Sequence, residues 1–340
     1  MKTRRAVPQE LGVLGVVVLV GIIMGSISPE FRTASNMSVL LLNGAVVMFL
    51  ALGQTTVLLT GGIDLSVGSN IALTGMIAAM SMQAGAPWWL AAIFAILGGV
   101  AVGLFNGAMV YYGKMPPFIV TFATFGIAAS IPKILTNARS VTVTDPMFAF
   151  FGRGSVFGIP IPVIMVVVAA LIIGFMLTKT PTGVHIYAVG GNKETARLAG
   201  INIARTTILV YVISGITAAF GGIITASRLM VGYPTAGSGN EQFYSIASSV
   251  VGGVSLFGGV GTILGAFIGS LLIAEVSNGM NVIGVESYWQ PLVIGAIILV
   301  GVLIDTNRRN ISLRKLFRLG GANEPTSPGK EALVHTLDPD

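Results

Sequence analysis

The sequence predicts an all-α polytopic membrane protein of about ten transmembrane helices, some of them broken, with an internal repeat. Three observations support this prediction: the composition, the length of the apolar stretches and the placement of the basic residues. The chain of 340 residues is 54% hydrophobic and only 9% charged, whereas a soluble domain carries about 25% charged residues. Its 45 glycines agree with this class, since small residues let membrane helices pack closely.

Ten apolar stretches follow one another along the chain, and most of them reach the roughly 20 residues that a membrane-spanning helix needs. The stretch at 243–257 is shorter and predicts a half-helix. The first stretch predicts a retained anchor rather than a cleaved signal peptide, because it is long and ends without a cleavage site in Ser26-Ile27-Ser28-Pro29. The stretches are 11–28, 39–59, 65–84, 88–112, 118–135, 160–177, 206–228, 243–257, 262–283 and 289–304.

The basic residues predict the orientation and the divisions of the chain. If the N-terminus is cytoplasmic, ten crossings place most of the 19 basic residues inside, as the positive-inside rule requires. We therefore expect a cytoplasmic N-terminus at 1–10, a membrane domain at 11–305 with a cytoplasmic loop at 179–205, and a cytoplasmic tail at 306–340. The tail begins basic and turns polar and Pro-rich, which predicts disorder over 321–340. The inside residues are Lys2, Arg4, Arg5, Lys114, Lys179, Lys193, Arg197, Arg205, Arg308, Arg309, Arg314, Lys315, Arg318 and Lys330.

This topology also explains the net charge of +6 without a nucleic-acid partner. Other function classes are excluded by what the sequence lacks. With no cysteine and only two histidines, the chain offers no thiolate metal site and no His-based catalytic set. No G-x-x-x-x-G-K-[ST] phosphate loop occurs, so the chain is expected to be no ATPase itself. We predict no cofactor, no metal site and no enzyme activity.

The most informative motif is the stretch at 61–69, Gly-Gly-Ile-Asp-Leu-Ser-Val-Gly-Ser, which places the carboxylate of Asp64 in apolar surroundings. A charge there is costly and indicates a functional site, and the glycines predict a break in the helix where a path is lined. Asp64 has two possible roles. It can cap the next helix by accepting the N–H of Val67 or Gly68, or it can contact a solute.

The second break is predicted by an echo of this motif at 252–259, Gly-Gly-Val-Ser-Leu-Phe-Gly-Gly. Paired glycine interruptions are typical of transporters built from repeats, although glycine-rich sequence can also resemble itself by chance. Ser255 replaces the acid in the echo, which rules out a symmetric charge pair. Each polar residue at the breaks can line a path or bond a neighbouring helix; the candidates are Asp64, Ser66, Ser69, Asn70, Ser248, Ser249 and Ser255, with Asn43, Gln54 and Asn106 as weaker ones.

The loop at 179–205 predicts a turn, a short charged helix and a stop. Asn192 can cap this helix, Glu194 lies in its first turn and Gly200 can end it. Such a helix suits docking of another protein, but it is equally compatible with an ordinary connection. The candidate docking residues are Gly190, Gly191, Asn192, Glu194, Ala196, Arg197 and Gly200.

Taken together, the motifs at 61–69, 188–201 and 252–259 resemble those of ribose-type monosaccharide ABC importer permeases, of the branched-chain/ribose permease superfamily. Two shorter stretches at 116–121 and 287–290 add to the likeness, which runs from about 31 to 305. Two positions depart from the family pattern. Val184 replaces a usual basic residue, and the stretch at 131–133 replaces a common Arg-Gly.

The resemblance implies a multi-pass subunit of the bacterial inner membrane that carries a sugar substrate. It also implies a second permease copy or a related chain, a separate ABC ATP-binding subunit docked on the 179–205 loop, and a periplasmic sugar-binding protein. Transport would be driven by ATP from outside the chain. A proton-coupled transporter that uses Asp64 or Glu275 is the alternative, and a structural membrane protein without solute flux is a further one.

Overall fold

The computed structural model describes residues 9–320, with side chains for 10–307. The basic residues at 2, 4, 5 and 330 and the tail at 321–340 lie outside the described residues, as do the side chains of the basic cluster at 308–318. The predicted disorder of the tail and the predicted placement of these basic residues therefore stay predictions.

The described residues are mainly helical, which confirms the predicted fold class. Two 3₁₀ helices, Pro29–Arg32 and Ser287–Trp289, add single turns. The α-helices are α1 (Gln9–Ile27), α2 (Ala34–Leu59), α3 (Val67–Gln83), α4 (Trp88–Tyr111), α5 (Pro117–Thr136), α6 (Pro146–Arg153), α7 (Ile161–Lys179), α8 (Pro181–Gly191), α9 (Lys193–Leu198), α10 (Ile203–Leu229), α11 (Glu241–Val251), α12 (Ile263–Val282) and α13 (Gln290–Gly320).

Each of the ten predicted spans corresponds to a helix. In the described part of the chain, eight helices are long and apolar enough to cross a membrane, namely α1, α2, α4, α5, α7, α10, α12 and α13. The other two spans are α3, of 17 residues, and α11, of 11 residues. Both adjoin a predicted glycine break, and α11 confirms the prediction of a half-helix. At its far end α13 continues to Gly320, well past the predicted end at 304.

Two short two-stranded antiparallel sheets cap one side of the bundle. The first pairs β1 (Val141–Thr142) with β4 (Val231–Gly232), and the second pairs β2 (Ser155–Val156) with β3 (Ile159–Pro160). We call this side, which also carries α6, the opposite face. The side that carries α8 and α9 is called the junction face.

The long helix α10 lies at the centre of the bundle, and small residues let α4 approach it closely. A methyl group at Gly99 would overlap the carbonyl oxygen of Gly215, and one at Gly103 would overlap that of Tyr211. Close backbone contact of this kind is the usual way in which membrane helices associate. The outer helices α1, α4, α7 and α13 instead expose large apolar side chains such as Ile22, Leu97, Leu171 and Leu299, as lipid-facing helices do.

The 179–205 region differs from the prediction in one respect. Gly190 and Gly191 were expected to form a turn, but they are the last residues of α8, a helix that begins after Thr180. Pro181 explains this start, because its ring fits the first turn of a helix and supplies no N–H that would need a partner there. The turn falls instead at Asn192, between α8 and α9.

Candidate functional site

The first break separates α2 from α3 and is built around two glycines. The N–H of Gly61 donates to the carbonyl oxygen of Leu58 (2.8 Å), and that of Gly62 donates to the carbonyl oxygen of Val57 (3.1 Å). Gly61 has a φ of +75°, which a residue with a side chain rarely adopts. This is the usual glycine ending of a helix, and it turns the chain towards Asp64.

Asp64 is 1% exposed, and its carboxylate accepts hydrogen bonds at both oxygens. Oδ1 accepts from the N–H of Ser66 (2.9 Å) and from the hydroxyl of Ser66 (2.6 Å). Oδ2 accepts from the hydroxyl of Ser214 on α10 (2.8 Å). A buried carboxylate is tolerated when it is hydrogen-bonded in this way, so the acid fastens the break to the central helix.

The predicted capping contact is therefore wrong in its partner. Asp64 binds the N–H of Ser66, the residue that precedes α3, and not that of Val67 or Gly68. The carboxylate closes a tight turn one step before the helix, because Ser66 rather than Asp64 occupies the position next to its first turn.

Further hydrogen bonds link the break to α4 and α5. The amide nitrogen of Asn106 donates to the hydroxyl oxygen of Ser66 (2.9 Å), and the hydroxyl of Thr124 donates to the amide oxygen of Asn106 (2.7 Å). Tyr211 on α10 donates its hydroxyl to the carbonyl oxygen of Ile63 (3.3 Å). Sequence reasoning ranked Asn106 as a weak candidate and missed the others, because hydroxyl side chains in apolar helices carry no spacing signal.

The backbone of Asp64 is held by α2. With the side-chain amide of Gln54 in the orientation that its surroundings require, its nitrogen donates to the carbonyl oxygen of Asp64 (2.9 Å). Its oxygen accepts from the N–H of Asp64 (3.3 Å). Gln54 is itself fully buried. Four helices thus meet the break through polar side chains.

The second break, between α11 and α12, repeats the turn with a different acid. The N–H of Phe257 donates to the hydroxyl oxygen of Ser255 (3.3 Å), as that of Ser66 donates to Asp64 in the first break. Asp305 of α13 then reaches in: its Oδ2 accepts from the hydroxyl of Ser255 (3.0 Å) and from the N–H of Leu256 (3.2 Å). The motif at 252–259 lacks an acid, but Asp305 supplies one to the second break. The inference that the two breaks do not both hold an acid is therefore wrong.

Asn43 is exposed and accepts a hydrogen bond from Arg228 (2.6 Å) at its side-chain oxygen. The remaining polar candidates are buried among helices. Ser69 donates to the carbonyl oxygen of Ser66 (3.1 Å), and Ser248 donates to that of Tyr244 (2.7 Å). Asn70 and Ser249 link different helices. Asn70 on α3 donates to the carbonyl oxygen of Gly215 on α10 (3.4 Å). Ser249 shares a hydrogen bond with Thr55 on α2 (3.0 Å). The structure thus brings Asp64 and Ser66 into one network and distributes the others along the walls of the breaks.

Ser255 and Asp305 also line a cavity of about 1070 Å³. Its other walls are mostly apolar and come from α1, α12 and α13, together with Gly258 and Gly259 of the second break. The cavity borders the second break and does not reach the carboxylate of Asp64 in the first break.

Glycines bring the two breaks and α8 together at one point on the junction face, which we call the glycine junction (Gly61, Gly190, Gly258 and Gly259). The N–H of Gly259 donates to the carbonyl oxygen of Leu59 at the end of α2 (2.9 Å). A methyl group at Gly190 would overlap that same carbonyl oxygen, and one at Gly258 would lie 2.9 Å from the carbonyl oxygen of Gly190. The three motifs that the sequence singled out therefore touch one another through their backbones.

Tyr187, one turn before Gly190 on α8, adds a side-chain link. Its hydroxyl donates to the carbonyl oxygen of Gly261 in the second break (2.8 Å). Burial raises the pKa of the Tyr187 hydroxyl above its ordinary value, so the group keeps its proton and can donate. No pattern in the sequence predicted this contact.

The predicted short helix is confirmed as α9. Asn192 accepts the N–H of Thr195 at its side-chain oxygen (2.9 Å), and Gly200 follows the helix with a φ of +81°. Arg197 and Glu194 form an exposed ion pair (2.9 Å). Leu198 is 85% exposed beside them. The exposed side of α9 thus presents an ion pair and one large apolar side chain to solvent.

In this bundle of membrane-length helices, both breaks pack against α8, which leads into the surface helix α9. This arrangement is that of a multi-pass membrane permease. The chain belongs to the family described as branched-chain amino acid transport system / permease component, whose model matches residues 36–302. In the described residues, no group of three or more acidic or histidine side chains is arranged to hold a metal ion.

Curated relatives cover nearly the whole chain. The ribose import permease protein of Bacillus subtilis is 40% identical over 305 residues, which are 89% of this chain and 94% of the relative. The D-allose transport system permease protein of Escherichia coli K12 is 38% identical over 86% of this chain and 90% of the relative. The L-arabinose ABC transporter permease protein of Azospirillum brasilense is 35% identical over 91% of this chain and 92% of the relative. No solved structure matches the chain.

Proposed function

We propose that this chain is the membrane subunit of an ATP-driven importer of a monosaccharide, and that it couples to a separate ATPase through α9. The observation that carries the proposal is the glycine junction, where α8 touches both helix breaks. A force applied to α9 passes through Asn192 into α8, and from Gly190 into both breaks at once. Backbone contacts without intervening side chains transmit such a displacement with little slack.

The docking surface for the ATPase is α9, with its ion pair and the exposed Leu198. The seven candidate residues of this region then divide by their positions. Gly190 and Gly191 end α8 at the junction, while Asn192 and Gly200 fix the ends of α9. Glu194 and Arg197 face the partner, and Ala196 is buried beneath them.

The substrate class is proposed from the relatives, whose names specify ribose, D-allose and L-arabinose. A sugar-binding protein would deliver such a sugar to the opposite face, and a second permease copy or a related chain would complete the path. The junction face is then cytoplasmic, both termini lie inside, and the membrane is the bacterial inner membrane. The membrane domain spans 11–305 between a short N-terminus and a cytoplasmic tail.

The chain contributes no ATP site in this proposal. It supplies the path and the mechanical link, while the assembled complex hydrolyses ATP. The polar residues at the breaks (Asp64, Ser66, Ser69, Asn70, Ser248, Ser249 and Ser255) hold and shape the walls of that path. Tight sugar binding inside the membrane is not required, since a transported solute must also leave.

A proton-coupled transporter that uses Asp64 fits the geometry less well. A carboxylate that carries protons needs access to water, whereas Asp64 is almost fully buried and already accepts three hydrogen bonds. The relatives also favour the ATP-driven class, since the one from Azospirillum brasilense is named as an ABC transporter permease.

The proposal is tested by assembly and ATP hydrolysis. The chain is co-expressed with an ATPase and a sugar-binding protein encoded beside it, and the purified complex is reconstituted in nanodiscs. ATP hydrolysis is expected to rise when the binding protein is loaded with ribose, allose or arabinose. Leu198→Asp should weaken ATPase binding about tenfold or more, as loss of a central contact does, whereas Leu264→Asn on the exposed side of α12 should not. Failure of the wild-type chain to bind the ATPase would contradict the proposal.

A further inference from the structure

A stretch of chain between α10 and α11 crosses half of the bundle without forming a helix. We call residues 233–240 the descending segment. It begins just after β4, which lies on the opposite face against β1. A methyl group at Gly232 would touch Met76 and Ala79, near the end of α3, whereas one at Gly237 would overlap the carbonyl oxygen of Gly68 at the start of α3. The chain therefore runs antiparallel to most of α3.

Helix geometry gives the depth of this segment. From Gly68 to Ala79 the helix rises about 16 Å, so the segment descends by that order from the opposite face. The 11 residues of α11 cover about 16 Å more before the second break at the junction face. The lower end of the descending segment thus lies near the middle of the membrane, whose hydrocarbon core is about 30 Å thick.

One side of the descending segment is packed and the other is open. Pro234 is buried, and Ala236 packs against the cluster of Leu50, Val67 and Ile71. On the other side, Tyr233 is 49% exposed, and Thr235 and Ser238 are exposed. Non-helical backbone at membrane depth does not face lipid, because its polar groups would lack partners there, and it occurs only in protein or beside water.

Unpartnered acceptors lie where this segment meets α11. Gln242 is only 6% exposed, and its Oε1 has no hydrogen-bond partner. The Oε2 atom of Glu241 is likewise buried without a partner. Gln242 packs on Gly68, at the point that the descending segment reaches. Buried polar atoms are nearly always hydrogen-bonded, so these oxygens call for a donor that the described part of this chain does not provide.

We infer that the open side of the descending segment, with Glu241 and Gln242 at its foot, lines the sugar path near the middle of the membrane. The inference rests on the proposed function for the identity of the solute. Three hydroxyl side chains and two acceptor groups offer a sugar exchangeable hydrogen bonds in both directions. Tyr233 and the half-exposed Phe243 add aromatic faces against which the C–H face of a sugar ring can pack.

The natural chain lacks cysteine, so single-cysteine labelling tests the inference cleanly. Thr235→Cys and Ser238→Cys are reacted in membranes with a charged, water-soluble methanethiosulfonate reagent. The matched control is Leu97→Cys, which is 55% exposed on the apolar side of α4. We expect both path positions to react at least tenfold faster than the control, because thiolates form in water and not in lipid. Rates as slow as that of Leu97→Cys would overturn the inference.

A second experiment repeats the labelling in the presence of sugar. In the complete transporter, the transported sugar should slow labelling at Thr235→Cys, and labelling that is unaffected by any sugar would overturn its assignment to the sugar path. Thr235→Val should lower sugar uptake about two- to tenfold, the loss of one hydrogen bond. Thr225→Val, which removes only a bond to the carbonyl oxygen of Gly221 within α10, should not. The comparison of labelling rates with Leu97→Cys requires no transport, so it tests the water access of this segment even if the proposed function is wrong.

Discussion

At Asp64 the two oxygens of the carboxylate are shared between a local turn and the central helix α10. Ser66 occupies one oxygen with two donors, and Ser214 occupies the other. The side chain therefore acts as an acceptor of hydrogen bonds, and its charge is secondary to its shape. The same division of work recurs at the second break, where Asp305 arrives from α13.

Asp64→Asn is expected to keep the fold and most of the transport activity. The amide oxygen can still accept both bonds from Ser66, and the Ser214 hydroxyl can turn to accept from the amide nitrogen. Sugar uptake should stay within about threefold of wild type, because each hydrogen bond at this position keeps a partner. Uptake is measured in proteoliposomes beside the amount of assembled complex.

Asp64→Ala is the contrasting variant. It leaves the buried N–H of Ser66 and the hydroxyl of Ser214 without partners, each at a cost of about 1–3 kcal/mol, and so the yield of assembled complex should drop sharply. A complete loss of uptake in a well-assembled Asp64→Asn complex would instead point to a charge-dependent role for this residue.

Tyr187→Phe separates coupling from folding. It removes only the hydrogen bond to Gly261, worth about 0.5–1.5 kcal/mol, and leaves the ring in place. We expect near-normal ATP hydrolysis but fewer sugars imported per ATP, measured as the ratio of the two rates. Tyr112→Phe, on an exposed side chain, should leave the ratio unchanged. An unchanged ratio in Tyr187→Phe would show that the link to the second break is dispensable.

At the scale of elements, α8 is the part that connects a surface helix with both breaks. It does so because Gly190 has no side chain, which lets the backbone of α8 lie against Leu59 and Gly259. Gly191, the next residue, has open space around it. Adjacent glycines in one helix thus experience opposite environments, which offers a matched pair for testing the junction.

Gly190→Ala should separate α8 from the breaks, since its methyl group overlaps the carbonyl oxygen of Leu59. Overpacking of this kind costs about 1–3 kcal/mol, and we expect a lower Tm of the complex together with loss of ATP-driven uptake. Gly191→Ala should be neutral or slightly stabilising, because alanine favours helix more than glycine does by about 1 kcal/mol. Equal behaviour of the two variants would contradict the close contact at the junction.

At the scale of the whole molecule, the sequence predicted the helices well and the contacts between them only in part. Apolar stretches of membrane length are unambiguous, so all ten spans and the half-helix at α11 were found. The caps of α9 followed from Asn192 and Gly200, whose chemistry is local. The continuation of α8 through Gly190 and Gly191 was missed, because paired glycines ordinarily indicate a turn.

Contacts between segments that are distant along the chain could not be predicted from a single sequence. Asp305 is 50 residues from Ser255 along the chain, and Ser214 is 150 from Asp64. Neither lies in a motif of its own. The descending segment lies between two predicted spans, and nothing in the sequence indicated its depth in the membrane.

The most direct test of the whole account is the energy source of transport. The chain is reconstituted in proteoliposomes with its ATPase and sugar-binding protein, and uptake of labelled pentoses and hexoses is followed. The account predicts uptake that requires ATP and the loaded binding protein, and that persists when the proton gradient is collapsed. Uptake by this chain alone, driven by a proton gradient and indifferent to ATP, would contradict it.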